Sequence, residues 1–239
     1  TPKPLTQVSL DLPKLWRNSP IAVFAVFMVG ISNAAFGTLA AVYAARIGLI
    51  VSDIALFASL PILAGAASQI PVGFASDRFD RRKVLLGIAV LAVAADALFL
   101  FYGVAGAWAA LSLSGLFGAT VYAMYPVIVA HANDHADTGS AIQVSGGLLL
   151  VFGLGSIIGP SLAGFAMSGF SAQWLFAVTG SAHVLLVLFA LLRIWIAPPV
   201  RAEDKVAFQA TPLGRGSTPE TVTMAAESRE MLEQDASQT

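Results

Sequence analysis

The chain has 239 residues, of which 57% are hydrophobic and only 11% are charged. Soluble domains carry roughly 25% charged residues, so this composition excludes an ordinary soluble domain and indicates an integral membrane protein. The net charge of -1 gives no reason to expect a nucleic-acid partner. Because no cysteine is present, a disulfide framework, a thiolate nucleophile and a cysteine-ligated metal are excluded.

Six apolar runs follow one another, and each exceeds the ~18 residues that a helix needs to cross a bilayer. We expect spans at about 20–45, 53–75, 84–102, 107–130, 141–167 and 172–197. Ser19 and Pro20 supply a cap and a proline at the first helical position, and Pro61 predicts a kink in the second span. The predicted fold class is therefore all-α, a polytopic membrane protein with six transmembrane helices in one bundle.

The segments that flank these spans are polar. Residues 1–18 hold three prolines and three cations, which predicts a linker that lies on the membrane surface. Residues 198–239 are rich in Pro, Ser, Thr and acidic side chains, which predicts a disordered tail. Because the chain starts at Thr1 without a signal-peptide pattern, we expect it to be an internal segment of a longer protein.

The densest charge cluster lies between the second and third spans, at residues 77–83. Its four cations and two acids cannot remain in hydrocarbon, which predicts a short loop at the membrane surface. Six spans place both chain ends and the loops at 76–83 and 131–140 on one side, together with every Lys and Arg except Arg46. The positive-inside rule makes that side cytoplasmic.

This cluster carries the pattern Gly73-x-x-x-Asp77-Arg78-Phe79-x-Arg81-Arg82. The pattern resembles the cytoplasmic signature between the second and third helices of each half of a major facilitator superfamily (MFS) transporter. Asp80 departs from it, because the family usually has glycine there, and a side chain indicates that the backbone need not take a positive φ.

The fifth span carries a second pattern, made of Gly146, Gly155, Gly159-Pro160 and Ala163-Gly164. Its spacing resembles the glycine-proline motif in the fifth helix of an MFS half, with Ala163 in place of one glycine. Small residues let helices approach closely, and the proline adds a bend. Generic tight packing is an alternative interpretation that is compatible with a role in transport.

The resemblance covers residues 19–197 and implies the second half of a twelve-helix transporter, with residues 1–18 as the end of the central linker. Such transporters bind substrate near the bilayer midplane between their two halves. It implies a secondary transporter of a bacterial cytoplasmic membrane that moves a small molecule by alternating access, with ion coupling and with both ends of this chain cytoplasmic. Its partners would be lipid, the N-terminal six-helix half and the substrate.

The resemblance also assigns candidate residues. Asp77 and Arg78, supported by Arg81 and Arg82, are candidates for a gate that holds one face closed, and membrane-surface anchoring is the alternative. The family's cavity is lined by the first and fourth helices of each half, which makes the cavity candidates Asn33, Phe36, Thr38, Tyr122 and Tyr125. Polar side chains also join membrane helices to one another, so a structural role stays open for each of these.

Three further side chains are notable by chemistry. Asp96 is the one acid inside a span and therefore a proton-coupling candidate, although a hydrogen bond to a neighbour or a place near the outer surface is the alternative. His131 and His135 have a spacing that could hold a metal, but no fourth ligand is evident. We expect a solvated loop there, with no metal and no cofactor.

Two competing classes stay open. Ser114-Gly115 and His183 are loosely similar to an intramembrane serine hydrolase, but Ser112 stands where that pattern has glycine. A membrane-embedded scaffold, or a half-transporter that works as a dimer, is the other class. We expect a transporter and no enzymatic activity.

Overall fold

A computed structural model describes residues 11–102, 106–137 and 140–196. The helices are α1 Leu12–Asn18, α2 Pro20–Arg46, α3 Val51–Arg78, α4 Arg81–Ala97, α5 Ala107–Asp134, α6 Ala141–Gly169 and α7 Trp174–Ile196. A π-helical turn, Leu98–Tyr102, continues α4. These ranges contain no strand, so the predicted all-α class is confirmed. The predicted tail, 198–239, lies outside the described residues.

Helices α2 to α7 are each long and apolar enough to cross a membrane, and the predicted number of six transmembrane helices is confirmed within the described ranges. The shortest, α4 with its π-helical turn, has 22 residues. At ~1.5 Å per residue this gives ~33 Å, which exceeds the ~30 Å of the hydrocarbon core.

The charged cluster between α3 and α4 is almost entirely helical, and the prediction of a loop over residues 77–83 is wrong. Only Phe79 and Asp80 lie between the two helices. The side chain of Asp80 accepts a hydrogen bond from the backbone N–H of Arg82 and caps α4, so the helix starts inside the cluster.

The second polar connection also starts later than expected. Helix α5 continues through Asp134, so the loop predicted from residue 131 begins at His135. The polar side chains at this end find partners inside the protein, as described below, and the helix therefore does not end where the sequence turns polar.

Helices α2 and α5 form the centre of the bundle. Their most apolar stretches are 61% buried, against 39% in α4 and α7, 28% in α6 and 17% in α3. Helix α6 packs mainly on α2, α3 packs mainly on α5, and α4 and α7 pack on each other and on the central pair. The face of the central pair that lies between α3 and α6, opposite α4 and α7, is called the open side below.

Six aromatic side chains fill the interior: Phe36, Tyr43, Phe57, Phe99, Phe117 and Phe176. The rings of Phe99 and Phe176 stack with centroids 3.8 Å apart. Because lipid is as apolar as these side chains, close packing rather than transfer from water holds membrane helices together. Each well-oriented aromatic pair contributes ~0.5–1.5 kcal/mol beyond its buried area.

Candidate functional site

Arg81 joins three helices at the charged end of the bundle. Its side chain is 1% exposed, and its Nε donates to Oδ2 of Asp134 on α5 at 2.7 Å. Its Nη1 donates to Oγ of Ser76 at 3.0 Å and lies 3.3 Å from Oδ1 of Asp77, both on α3. The Asp134 side chain is equally buried. Together, these contacts of Arg81 fix α3, α4 and α5 relative to one another.

Arg82 pairs with Asp80, two residues earlier. The Nη2 atom lies 2.8 Å from Oδ2, and Nε lies 3.1 Å from Oδ1. Burial alone would raise the pKa of Asp80, but the hydrogen bonds from the Arg82 side chain and backbone outweigh it and hold the pKa below its ordinary value. Asp80 has a φ of -59°, so a side chain is accommodated where the family usually has glycine.

Asp77 and Arg78 have a different environment. Both are exposed on the last turn of α3, and the Asp77 side chain keeps 45% of its surface accessible. Gly73, one turn earlier, is buried. The predicted gate residues therefore divide into two sets, with Arg81 and Arg82 inside the bundle and Asp77 and Arg78 at its surface.

The glycines of the glycine-proline pattern in α6 differ in what surrounds them. A Cβ at Gly155 or Gly159 would overlap the carbonyl oxygen of Phe27 or Ile31, respectively, on α2, whereas a Cβ at Gly164 would meet open space. Gly155 and Gly159 therefore allow α6 and α2 to touch backbone to backbone.

The other members of the pattern differ in burial. Gly146 is half-buried near the start of α6, and Ala163 is fully buried. Pro160 lies inside the helix next to Gly159.

A second close contact joins α3 and α5 and was not predicted. A Cβ at Gly118 would overlap the backbone of Pro61, and one at Gly65 would lie 2.5 Å from Cβ of Tyr122. Oγ of Ser68 donates to the carbonyl of Ala119 across the same contact at 2.6 Å. The signal in the sequence was the spacing of Pro61, Gly65 and Ser68 by four and three residues, which places them on one face of α3.

Two of the five cavity candidates contact the flanking helices of the open side. Tyr122 contacts Gly65 of α3, and Tyr125 meets Phe152 of α6 edge to face with centroids 5.5 Å apart. Thr38 is exposed on α2, and Asn33 is half-buried. Oδ1 of Asn33 has no hydrogen-bond partner among the described residues.

Phe36 is placed elsewhere. It is 1% exposed, and its ring lies 4.6 Å from that of Phe117 in the aromatic core. Asn33, three residues earlier on α2, is less buried than Phe36.

Asp96 lies between α4 and α7 and is 2% exposed. Oγ1 of Thr179 donates to its Oδ1 at 2.5 Å, and Nδ1 of His183 lies 2.6 Å from its Oδ2. These partners were not predicted from the sequence, although Thr179 and His183 are four residues apart and so share one face of α7.

The remaining candidates make local contacts. His131 is buried within α5, and its carbonyl accepts a hydrogen bond from Nδ1 of His135 at 2.9 Å. Within the described ranges no group of three or more His, Asp or Glu side chains could hold a metal ion. Oγ of Ser114 donates to the carbonyl of Leu111 in its own helix, while His183 pairs with Asp96.

Residues 22–226 match the model of the Major Facilitator Superfamily. The chain is 27% identical over 191 residues to the uncharacterized MFS-type transporter YcaD of Salmonella typhi, an alignment that covers 76% of this chain and 46% of the relative. It is 28% identical over 184 residues to YcaD of Salmonella paratyphi B and of Salmonella newport, covering 73% of this chain and 44% of each relative.

The chain thus spans less than half the length of these relatives. The family match covers most of the chain, including the charged signature between α3 and α4 and all six membrane-spanning helices except the first two residues of α2. It is a multi-pass membrane protein, and it belongs to the Major Facilitator Superfamily.

Proposed function

We propose that this chain is the C-terminal half of a secondary transporter that moves a small molecule by alternating access, coupled to an ion gradient, in a bacterial cytoplasmic membrane. The observation that carries the proposal is the open side. There Tyr122 and Tyr125 of α5 lie against α3 and α6, the two flanking helices, which are the least buried of the six.

Polar side chains on the open side are costly if they face lipid. Hydroxyl and amide groups in hydrocarbon need partners, and intramembrane polar groups usually face a bundle interior or a water-filled cavity. A second six-helix body against α3 and α6 would supply such surroundings and would enclose a cavity at mid-depth, where transporters of this type bind substrate. The curated relatives are long enough to contain that body.

The charged end is the cytoplasmic end in this proposal, because the positive-inside rule applies to its Lys and Arg residues. Asp77 and Arg78 are exposed there, at the end of one of the two flanking helices. A partner half docked on α3 would bury them in one state and release them in the other. Such a contact contributes ~1–2 kcal/mol to the closed state, which is a factor of ~5–30 in an equilibrium constant.

The test is substrate flux in sealed vesicles with the whole transporter that contains this chain and a panel of small molecules. We expect Asp77→Asn to lower the flux about 5- to 30-fold with an unchanged melting temperature, because Asp77 itself is exposed and Arg81 keeps Asp134 as its buried partner. Lys83→Gln removes another exposed charge one helix later and should leave the flux unchanged. Equal flux in both variants and the wild type would contradict the gate.

Two further measurements separate the alternatives. The 239-residue chain, reconstituted alone, should give no saturable flux of a substrate that the whole transporter carries, whereas a dimeric half-transporter would give it. The Asp96→Asn variant of the whole transporter tests whether Asp96 carries the coupling ion, since unchanged proton dependence would place the coupling group elsewhere.

A further inference from the structure

Helix α1 lies against the charged end of the bundle, where α6 and α7 hold it. Leu15 of α1 is buried, and its Cδ2 atom would lie 2.9 Å from a Cβ added at Gly147 of α6. The ring of Trp16 lies 6.4 Å from that of Phe189 on α7. These contacts fix α1 beside the last turns of α7.

The contact between Trp16 and Phe189 brings two arginines to one place. Arg17 follows Trp16 in α1, and Arg193 follows Phe189 by four residues in α7. Residues four apart are neighbours on one face of a helix. Both arginines therefore lie within about one helical turn of this contact. The group of Trp16, Arg17, Arg193 and Trp195 is called the α1–α7 surface below.

The two arginines of the α1–α7 surface have no acidic partner within the described ranges. Their side chains make no ion pair with any carboxylate there. Two acids near α1 are already engaged, since Asp11 accepts from the backbone N–H of Lys14 and Asp137 pairs with Nζ of Lys14 at 2.6 Å. The described part of this surface therefore carries two uncompensated positive charges.

An apolar groove adjoins these charges on α7. The exposed side chain of Trp195 lines it together with Leu191, Leu192 and Ile194. Trp16 is also exposed, and tryptophan is enriched at the level of the lipid headgroups. The end of α7 thus presents a cation and, beside it, a surface for hydrocarbon.

This combination fits an anionic phospholipid better than a free phosphate ion. A guanidinium group can donate two parallel N–H bonds to a phosphate group, and arginine is favoured where phosphate is recognised. Basic pockets between membrane helices bind anionic lipid headgroups. The apolar groove matches an acyl chain, which a free phosphate ion lacks.

We propose that the α1–α7 surface binds one anionic phospholipid, with Arg17 and Arg193 on the headgroup phosphate and an acyl chain in the groove beside Trp195. In the orientation proposed above, this lipid belongs to the cytoplasmic leaflet. The site does not depend on the proposed transport function. Cations in the last turn of a helix also compensate the helix dipole, a role that affects stability and not lipid affinity.

The test is native mass spectrometry of the purified 239-residue chain in detergent, titrated with phosphatidylglycerol or phosphatidylcholine. We expect one phosphatidylglycerol to bind in preference to phosphatidylcholine. The double variant Arg17→Gln, Arg193→Gln should bind it about tenfold more weakly or worse, because hydrogen bonds between charged groups are lost. Lys83→Gln, which removes an exposed cation at the same end, is the matched control and should bind like the wild type.

Three results would overturn the proposal. They are equal affinity for the two lipids, equal affinity of the wild type and the double variant, and equal weakening in Lys83→Gln. Arg17→Gln alone changes an exposed position and should also weaken binding, so it provides the same test if the double variant does not fold.

Two further arms identify the occupant. An excess of inorganic phosphate should leave the lipid bound, and displacement would show a phosphate site instead of a lipid site. The double variant Glu203→Gln, Asp204→Asn removes the first two acids after α7 in the sequence and should leave the lipid affinity unchanged. A higher affinity in that variant would identify the acidic segment as the partner of the arginines and would overturn the proposal.

Discussion

Replacing Gly159 by alanine tests the backbone contact between α6 and α2. An added Cβ would overlap the carbonyl oxygen of Ile31 and would lie 2.9 Å from its carbonyl carbon and 3.0 Å from its Cα. All three atoms are backbone, so no side chain can rotate away and one helix must move. Overpacking costs ~1–3 kcal/mol, and we expect the upper end of that range here.

Alanine also improves helix propensity over glycine by up to ~1 kcal/mol. The net free energy of unfolding should therefore fall by ~2 kcal/mol in Gly159→Ala. Gly164→Ala is the matched control, because it lies on the same helix and its Cβ would meet no atom within 4 Å. That variant should be neutral or stabilised by up to ~1 kcal/mol.

The assay is thermal unfolding of the purified chain in detergent. For a chain of this size, 1 kcal/mol shifts the melting temperature by ~2–4 °C, so Gly159→Ala should melt ~4–8 °C below the wild type. Gly164→Ala should melt at or above the wild-type temperature. If the two variants shift equally, or if Gly159→Ala is the more stable one, the close contact between α2 and α6 is refuted.

Three other predictions use the same unfolding assay. Arg81→Ala should lose ~3–5 kcal/mol because it removes the arginine that pairs with the buried Asp134 carboxylate, whereas the exposed Lys83→Ala should change little; equal losses would contradict the buried pair. The lowered pKa of Asp80 means that its stabilising effect is complete above its ordinary pKa of 3.8 and is lost as the pH falls through the lower folded value. Asp80→Asn should therefore unfold less steeply in acid, and an unchanged acid profile would argue against this. Gly118→Ala should lose ~1–3 kcal/mol against the backbone of Pro61, while Gly115→Ala, which would meet only the Leu60 side chain at 3.5 Å, should be tolerated.

Hydropathy was sufficient to predict the six membrane-spanning helices, because each span is a continuous apolar run that needs no information from elsewhere in the chain. The charge cluster was located by the same local signal. Its helical structure was not predicted, because that depends on the Asp80 cap and on the interior partners of the arginines.

The environment of each cation could not be read from the local sequence. Arg81 and Lys83 are two residues apart in one cluster, yet the first is buried and the second is exposed. The difference comes from Asp134, which is 53 positions away in the chain and close only after α3, α4 and α5 have packed.

The glycines of α6 and the intramembrane aspartate show the same limit. Gly159 and Gly164 belong to one sequence pattern, but which of them meets α2 depends on how the two helices pack. The partners of Asp96 lie 83 and 87 positions away, on α7. The four-residue spacing of Thr179 and His183 was a signal for a polar face, although it did not identify Asp96 as the group that this face contacts.

The central claim is that a second six-helix body covers the flanking helices α3 and α6. Since this chain has no cysteine, single cysteines can be introduced and spin-labelled at four exposed leucines. These are Leu63 on α3, Leu154 on α6, Leu91 on α4 and Leu188 on α7.

The measurement is the accessibility of each spin label to lipid-dissolved oxygen, in the 239-residue chain alone and in the whole transporter. All four labels should be accessible in the chain alone. In the whole transporter the labels on α3 and α6 should become protected, while those on α4 and α7 stay accessible. Equal accessibility of all four labels in the whole transporter would contradict the account.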